Sequence, residues 1–402
     1  MNNKINEKTN RISIYLLAFG GFIVGTTELV VAGILNLIAD DLQISIALAG
    51  QLVTAYSLAF AIGTPILVAF TSHIGRKKLL VFSLVVFIIG CLSSFFSISY
   101  SILIISRLIL GLSAGLYTVV SLSSAVKLVS VEKMGSAIGI IALGFGSSMA
   151  LGVPIGIVIA DWWSWQMIFV ILAISCLLIM LGLIRLMPQI EGDAPVPFTK
   201  QFTVLGNPVI VSGLLISLLM YTSNSMMLTY LSPYLQTILH LKASSIGMII
   251  LALGIVGMIG SRLGGLSADK WGSARTISFT LVGATVSLAL MPVFTAPVAV
   301  GLALITVWFF SFFVGNPALQ TYFIQQAPNS SNMVLGLNLS FVHLGLALGA
   351  GAGGTIASFT STVLYNPWVA SGTTILGLGV ALISFALSKR KLAKRDDYQE
   401  SL

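Results

Sequence analysis

Charge is what this sequence has least of. Of its 402 residues only 8% are Asp, Glu, Lys or Arg, while 57% are hydrophobic. Soluble domains carry about 25% charged residues, so a water-soluble globular domain is excluded. Cysteine is nearly as scarce. Cys91 and Cys176 lie in separate apolar runs, which offers neither a disulfide framework nor a thiolate metal site. No His-Glu-x-x-His, no paired Asp and no Ser–His pair at one depth occurs inside the apolar runs, which argues against a membrane enzyme. No phosphate-binding loop is present, so ATP is not the driver. Neither a cofactor nor a metal is expected. Met1–Asn10 is polar, and the first apolar run is too long, and lacks the small-residue site, for a cleaved signal.

What the chain does have is long apolar runs. With about 20 residues needed to span a bilayer, it reads as an all-α polytopic membrane protein of twelve transmembrane helices. Their expected limits are 12–36, 46–70, 79–98, 101–128, 135–160, 166–187, 208–238, 245–267, 275–295, 298–325, 333–358 and 366–388. The net charge of +8 is distributed as membrane topology requires, and does not suggest nucleic acid. Lys4, Lys8 and Arg11 precede the first run, Arg76, Lys77 and Lys78 follow the second, and Lys127 and Lys133 flank the fourth. Arg185, Lys200, Lys270 and Arg275 and the basic tail fall on the same side, whereas only Lys242 falls on the other. The positive-inside rule then makes both termini cytoplasmic, in a plasma (inner) membrane.

The one long polar segment, with Gly192, Pro195 and Pro197, divides the chain. It reads as a cytoplasmic linker, 188–207, between a six-helix bundle at 1–187 and a second at 208–402 that ends in the basic tail. A shift of 197 residues relates the two. It brings Gly50, Gly63 and Gly75 onto Gly247, Gly260 and Gly272, and the Ala150–Gly156 stretch onto Ala347–Gly353. Six spans per unit keep one orientation, so this is a parallel repeat. Two such bundles rocking about a midplane site would form an alternating-access transporter.

Glu28 is the only acidic residue well inside an apolar run. A carboxylate there costs about 2.5–3.5 kcal/mol on insertion scales, so it needs a partner, water or a proton. It lies roughly 12 Å deep, at about 1.5 Å per residue, and Arg107 in helix 4 lies at roughly 9 Å. The two are expected to pair, with snorkelling as the alternative for Arg107. The repeat positions of Glu28 and Arg107 are Ser225 and Leu304, so the charges belong to one half only, as a coupling site requires. His343 is the sole histidine within a span and titrates near neutral pH. Tyr56, Tyr117, Tyr221, Asn224, Gln320 and Asn338 lie within spans, as do Tyr230, Asn316 and Tyr322. Aromatic faces with amide donors suit a flat, uncharged heteroaromatic solute, and interhelical hydrogen bonding is the alternative for each.

Several motifs carry a resemblance. Gly265, Asp269, Lys270 and Gly272 form a G-x-x-x-D-[RK]-x-G loop similar to that of the major facilitator superfamily. The corresponding loop with Gly75 and Arg76 has Ser72 in place of the Asp. Arg107 with Gly111 resembles the superfamily's helix-4 pattern. Gly146 through Gly152, Pro154 and Gly156 resembles the helix-5 pattern of its antiporters. Gly25 through Glu28 and onward resembles the drug:proton antiporter branch, in particular sugar-efflux and purine-efflux permeases. The purine type is most similar, on Gly50-Gln51-Leu52, Ile138–Ile141 and Tyr322–Pro328. In that branch a His is usual near Asn224 and an uncharged amide at His343, so the chain departs from it there.

The resemblance implies a monomeric, proton-coupled exporter of a small organic solute, possible cargoes being a purine base or nucleoside. Glu28, Arg107 and His343 would couple protons. Tyr56, Tyr117, Tyr221, Asn224, Gln320 and Asn338 would contact the solute. Asp269, Lys270, Gly272, Gly75 and Arg76 would latch helix ends, and Gly152, Pro154 and Gly156 would act in gating. A multidrug or sugar efflux antiporter, a facilitator or symporter, and a lipid flippase are the alternatives on the same fold.

Overall fold

In the computed structural model, which describes residues 2–130, 134–192, 204–327 and 331–400, every regular element is helical. The expected linker is thus described only at its two ends, and Pro195, Pro197 and Lys200 lie outside the described residues, as do Lys133 and Pro328. Twelve helices among the described residues are long and apolar enough to cross a membrane. Their outward side chains are themselves large and apolar, for example Phe70, Leu143, Met248 and Phe279. That is the pattern of helices whose solvent is hydrocarbon.

The chain divides into two compact units, one of residues 1–197 with 229–254 and the other of 198–228 with 255–402. In the first unit α1 (Asn2–Gly33) and α2 (Leu35–Asp41) are followed by α3 (Ile46–Thr71), α4 (Arg76–Phe95) and α5 (Tyr100–Lys127). Next come α6 (Met134–Ser147), a π-turn at Ser148–Gly152, α7 (Val153–Trp162) and α8 (Trp165–Leu186). α1 packs on α6, the π-turn, α7 and α8, while α5 packs on α3 and α4. Small residues allow the close approaches. A Cβ on Gly20 would lie 2.0 Å from the Tyr117 hydroxyl oxygen, and one on Gly144 would lie 2.0 Å from the Ala18 carbonyl oxygen.

The second unit is built from α9 (Pro208–Leu228), α12 (Ser273–Leu290), α13 (Val298–Gln326), α14 (Ser331–Thr360) and α15 (Asn366–Glu400). α10 (Leu231–Thr237) and the first part of α11 (Ala243–Trp271) belong to the first unit, and the rest of α11 belongs to the second. Within the second unit α9 packs on α14 and α15, and α12 packs on α13 and α15. Leu214, Ile277, Leu281, Ala318 and Phe323 are buried at its core.

Two expected spans, 12–36 and 208–238, are each a long helix followed by a seven-residue one. The break falls at Ile34 (φ −111°, ψ 21°) in the first and at Tyr230 (φ −104°, ψ 16°) in the second. Both residues sit in the bridge region between helix and strand, within one residue of the 197-residue repeat. Apolar residues run straight through both breaks, so hydropathy does not mark them. A π-turn, Ser148–Gly152, lies just before Pro154. Proline has no N–H to return to the fourth carbonyl back, and the ladder widens there.

The aligned glycines do matched work. A Cβ on Gly152 would meet Thr26 of α1, and one on Gly349 would meet Thr222 and Ser225 of α9. Gly63 packs against Leu112 of α5, and Gly260 against Phe310 and Phe313 of α13. Gly75 and Gly272 are the N-caps of α4 and α12.

Candidate functional site

The first unit is organised around a cation. Arg107 is fully buried on α5. Its Nη1 donates to the Thr27 carbonyl of α1 at 3.0 Å, and its Nε donates to the Leu52 carbonyl of α3 at 3.4 Å. The guanidinium carbon lies 4.6 Å from the centroid of the Tyr56 ring, close enough for a cation–π contact. Three anchors from two neighbouring helices, α1 and α3, hold the group. Among the described residues its Nη2 finds no hydrogen-bond acceptor, and neither does the buried Tyr56 hydroxyl.

Glu28 is half-buried beside Thr27, the residue whose carbonyl Arg107 holds. The Glu28 carboxylate lies within electrostatic reach of both Arg107 and Tyr56. α5 can come this close because Gly111 faces α3, where a Cβ would lie 2.3 Å from the Tyr56 carbonyl oxygen. Gly115, one turn on, fits against Thr64 in the same way.

Other side chains expected to touch solute are placed differently. Tyr117 is buried and donates to the Leu17 carbonyl at 2.9 Å, a bond internal to the first unit. In the second unit Gln320 donates to Asn316 Oδ1 at 3.1 Å, and Asn316 Nδ2 donates to the Tyr221 hydroxyl at 2.5 Å. The ladder runs from exposed Gln320 to half-buried Tyr221, whose ring meets Phe312 edge-on at 5.0 Å. Asn224 and Asn338 are buried, each with a side-chain oxygen lacking a partner among the described residues. His343 is buried on α14, its Nδ1 3.0 Å from the Leu339 carbonyl oxygen.

The loop residues form two different structures. The Arg76 backbone N–H donates to the Ile190 carbonyl at 2.8 Å and Lys77 Nζ to the Met187 carbonyl at 2.7 Å, with Lys127 Nζ 3.3 Å from the Glu191 carbonyl. The cations of this loop are thus met by backbone carbonyls just past α8, a helix end that favours positive charge. The other motif, expected as a loop, is the last turn of α11 up to Gly272, where Asp269 and Lys270 are exposed, with Lys270 Nζ 5.9 Å from the Trp271 ring centroid. A composition-based reading misses one further cluster. Asp41 Oδ2, at the end of α2, accepts from Trp165 Nε1 at 2.9 Å and Gln166 Nε2 at 3.0 Å at the start of α8. An acidic side chain at a helix N-terminus is favourable, and Asp41 just outside the first run was its available signal.

Comparison with known proteins agrees with this architecture. Residues 17–350 match the Major Facilitator Superfamily. The chain is 35% identical to an uncharacterized MFS-type transporter of Bacillus subtilis (strain 168), YbcL, over 96% of this chain and 99% of that one. It is 29% identical to the inner membrane transport protein YdhP of Escherichia coli (strain K12), over 93% of this chain and 95% of the relative. Among solved structures, a D-xylose-proton symporter superposes with a TM-score of 0.75 at 18% identity, covering 93% of this chain and 97% of that one. A bacterial homologue of the human lysosomal transporter Spinster gives 0.72 at 15%, covering 95% and 96%. At those identities the structures speak for the fold, and the sequence match over most of the chain speaks for descent. The chain belongs to the major facilitator superfamily and is an integral membrane transporter of small molecules.

Proposed function

We propose that the protein exports a small, uncharged organic solute in exchange for protons, and that Glu28 and Arg107 couple the two movements. The observation that carries this reading is the clamped guanidinium. Arg107 is fixed by Thr27, Leu52 and Tyr56, with Nη2 lacking an acceptor among the described residues and Glu28 within electrostatic reach. A fixed cation makes the carboxylate the part that changes. An ionised Glu28 is drawn to the guanidinium and tightens α1 against α5. A protonated Glu28 is neutral and loses that attraction.

Coupling then requires that the two protonation states favour different conformations, one open to each side of the membrane. Protonation from outside and release inside would drive the solute outward. His343, on a separate helix, is the third residue we assign to proton coupling.

For the cargo, the Gln320–Asn316–Tyr221 ladder with the Phe312 ring combines amide groups and aromatic faces without a charge. That chemistry suits a planar neutral solute such as a purine base or nucleoside, with Asn338 as a further amide. The positions of the basic residues support cytoplasmic termini in the inner membrane, and we place the functional six-helix halves at 1–187 and 208–402, acting as a monomer.

The test is pH-gradient-driven transport in proteoliposomes, with purines, nucleosides, sugars and common drugs first screened by thermal shift. Glu28→Gln should abolish proton-driven export while leaving counterflow of the same solute. Wild-type export by that variant would remove Glu28 from the mechanism, and solute accumulation with the proton gradient would reverse the direction.

A further inference from the structure

We infer that the interior of the second unit holds a resident water molecule anchored on Asn224, and that this residue serves that water and not the solute. Side chains of α9, α12, α13 and α15 line a cavity, among them Asn224, Ser223, Thr280, Ser311 and Thr374. Trp308 and Phe312 are also in its wall. Its accommodating volume is about 10 Å³, room for about one water and nothing heavier.

Asn224 is 4% exposed, and its Oδ1 has no partner among the described residues. An amide oxygen left bare in such a place carries its full desolvation cost, which a bridging water removes. Three of the four hydroxyls around the cavity already use their protons. Ser223 donates to the Ala370 carbonyl at 2.8 Å, Thr280 to Ile277 at 2.9 Å and Thr374 to Ser371 at 2.7 Å. What these groups have left is lone pairs. The cavity therefore asks for a donor, and water brings two protons, one for Asn224 Oδ1 and one for a hydroxyl oxygen. A bare cation would also find oxygens, but none of the lining groups is anionic, and an uncompensated charge in an apolar wall is strongly disfavoured.

The inference is independent of what is transported, and its first test needs neither transport nor a variant. A density map of the full-length protein that resolves other buried waters should show one peak within hydrogen-bond distance of Asn224 Oδ1. Radiolytic footprinting in solution should oxidise Met220, which lines the same cavity, faster than buried methionines elsewhere. Asn224→Leu fills the space with an apolar group of similar size. It should abolish the excess labelling, hold the melting temperature within about 2 °C or raise it, and leave solute KM unchanged. An empty cavity in such a map, a melting temperature that rises with sodium, or a raised KM in a normally stable Asn224→Leu protein would each overturn the proposal.

Discussion

The interiors of the two units solve one packing problem with opposite chemistry. At the heart of the first is a guanidinium on α5 held by α1 and α3; the repeat position in the second is Leu304. The repeat position of Glu28 is Ser225, which donates to the Leu346 carbonyl at 2.7 Å and ties α9 to α14. Thr27, which receives Arg107, corresponds to Asn224 beside the neutral cavity. The glycine contacts and the N-cap glycines are shared, and the charge is not. A duplicated scaffold keeps its backbone solutions because they are set by sterics, while one copy alone carries the ionisable pair.

The comparison breaks most sharply at Arg107. Arg107→Leu should abolish proton-coupled transport, a coupling typically worth about 5–150-fold in affinity. Arg107→Lys should recover only part of it, because an ammonium cannot span two carbonyls in a fixed fork. Leu304→Met, at the matching position, should leave transport rates within about twofold. Export assays at several pH gradients read all three. Equal losses at 107 and 304 would mean that both units share the role.

How much of this was readable beforehand follows from what each signal reports. Glu28 and Arg107 stood out because charge in an apolar run is rare and depth follows from counting residues. The three anchors of Arg107 were not readable, since two of them are backbone carbonyls that every residue possesses. The breaks at Ile34 and Tyr230 were hidden because hydropathy reports burial and not backbone continuity. Both residues are buried, so the apolar run passes through without a mark. The partners of Arg76 and Lys77 are likewise carbonyls, at Ile190 and Met187, beyond the reach of a motif written in side chains.

Next in size are the aligned glycines of the helix contacts. A Cβ at Gly349 would lie 2.2 Å from the Thr222 carbonyl oxygen, and one at Gly152 would lie 2.0 Å from Thr26 Oγ1. A hydroxyl can rotate away, whereas a helical carbonyl moves only with its backbone. Gly349→Ala should therefore cost about 1–3 kcal/mol as overpacking does, and Gly152→Ala less. Gly265→Ala, with nothing within 4 Å, is the neutral control. Thermal unfolding in detergent orders the three.

The N-cap glycines should separate as well. Gly272 has φ +88°, ψ 146° and Gly75 has φ −54°, ψ 134°. Only the first conformation is closed to an L side chain, at a cost of about 1–3 kcal/mol. Gly272→Ala should lower the melting temperature, and Gly75→Ala should change it little, its Cβ meeting the Ile190 carbonyl at 3.3 Å. Equal shifts would show that the loop after α11 relaxes freely.

The smallest expected effect separates two tyrosines that composition alone treats alike. Tyr117 is buried in the first unit and its hydroxyl bonds the Leu17 carbonyl, so the bond joins α5 to α1 whatever the cargo. Tyr221 is half-buried in the second unit and its hydroxyl ends the ladder from exposed Gln320. Deleting either hydroxyl removes one hydrogen bond, worth about 0.5–1.5 kcal/mol, but from different equilibria. Tyr117→Phe should lower thermal stability and leave solute KM alone. Tyr221→Phe should raise KM by about 2–10-fold, the same energy read as affinity, with the unfolding temperature nearly unchanged. If the two variants exchange these signatures, the solute contacts lie in the first unit, and the neutral ladder of the second is a packing device.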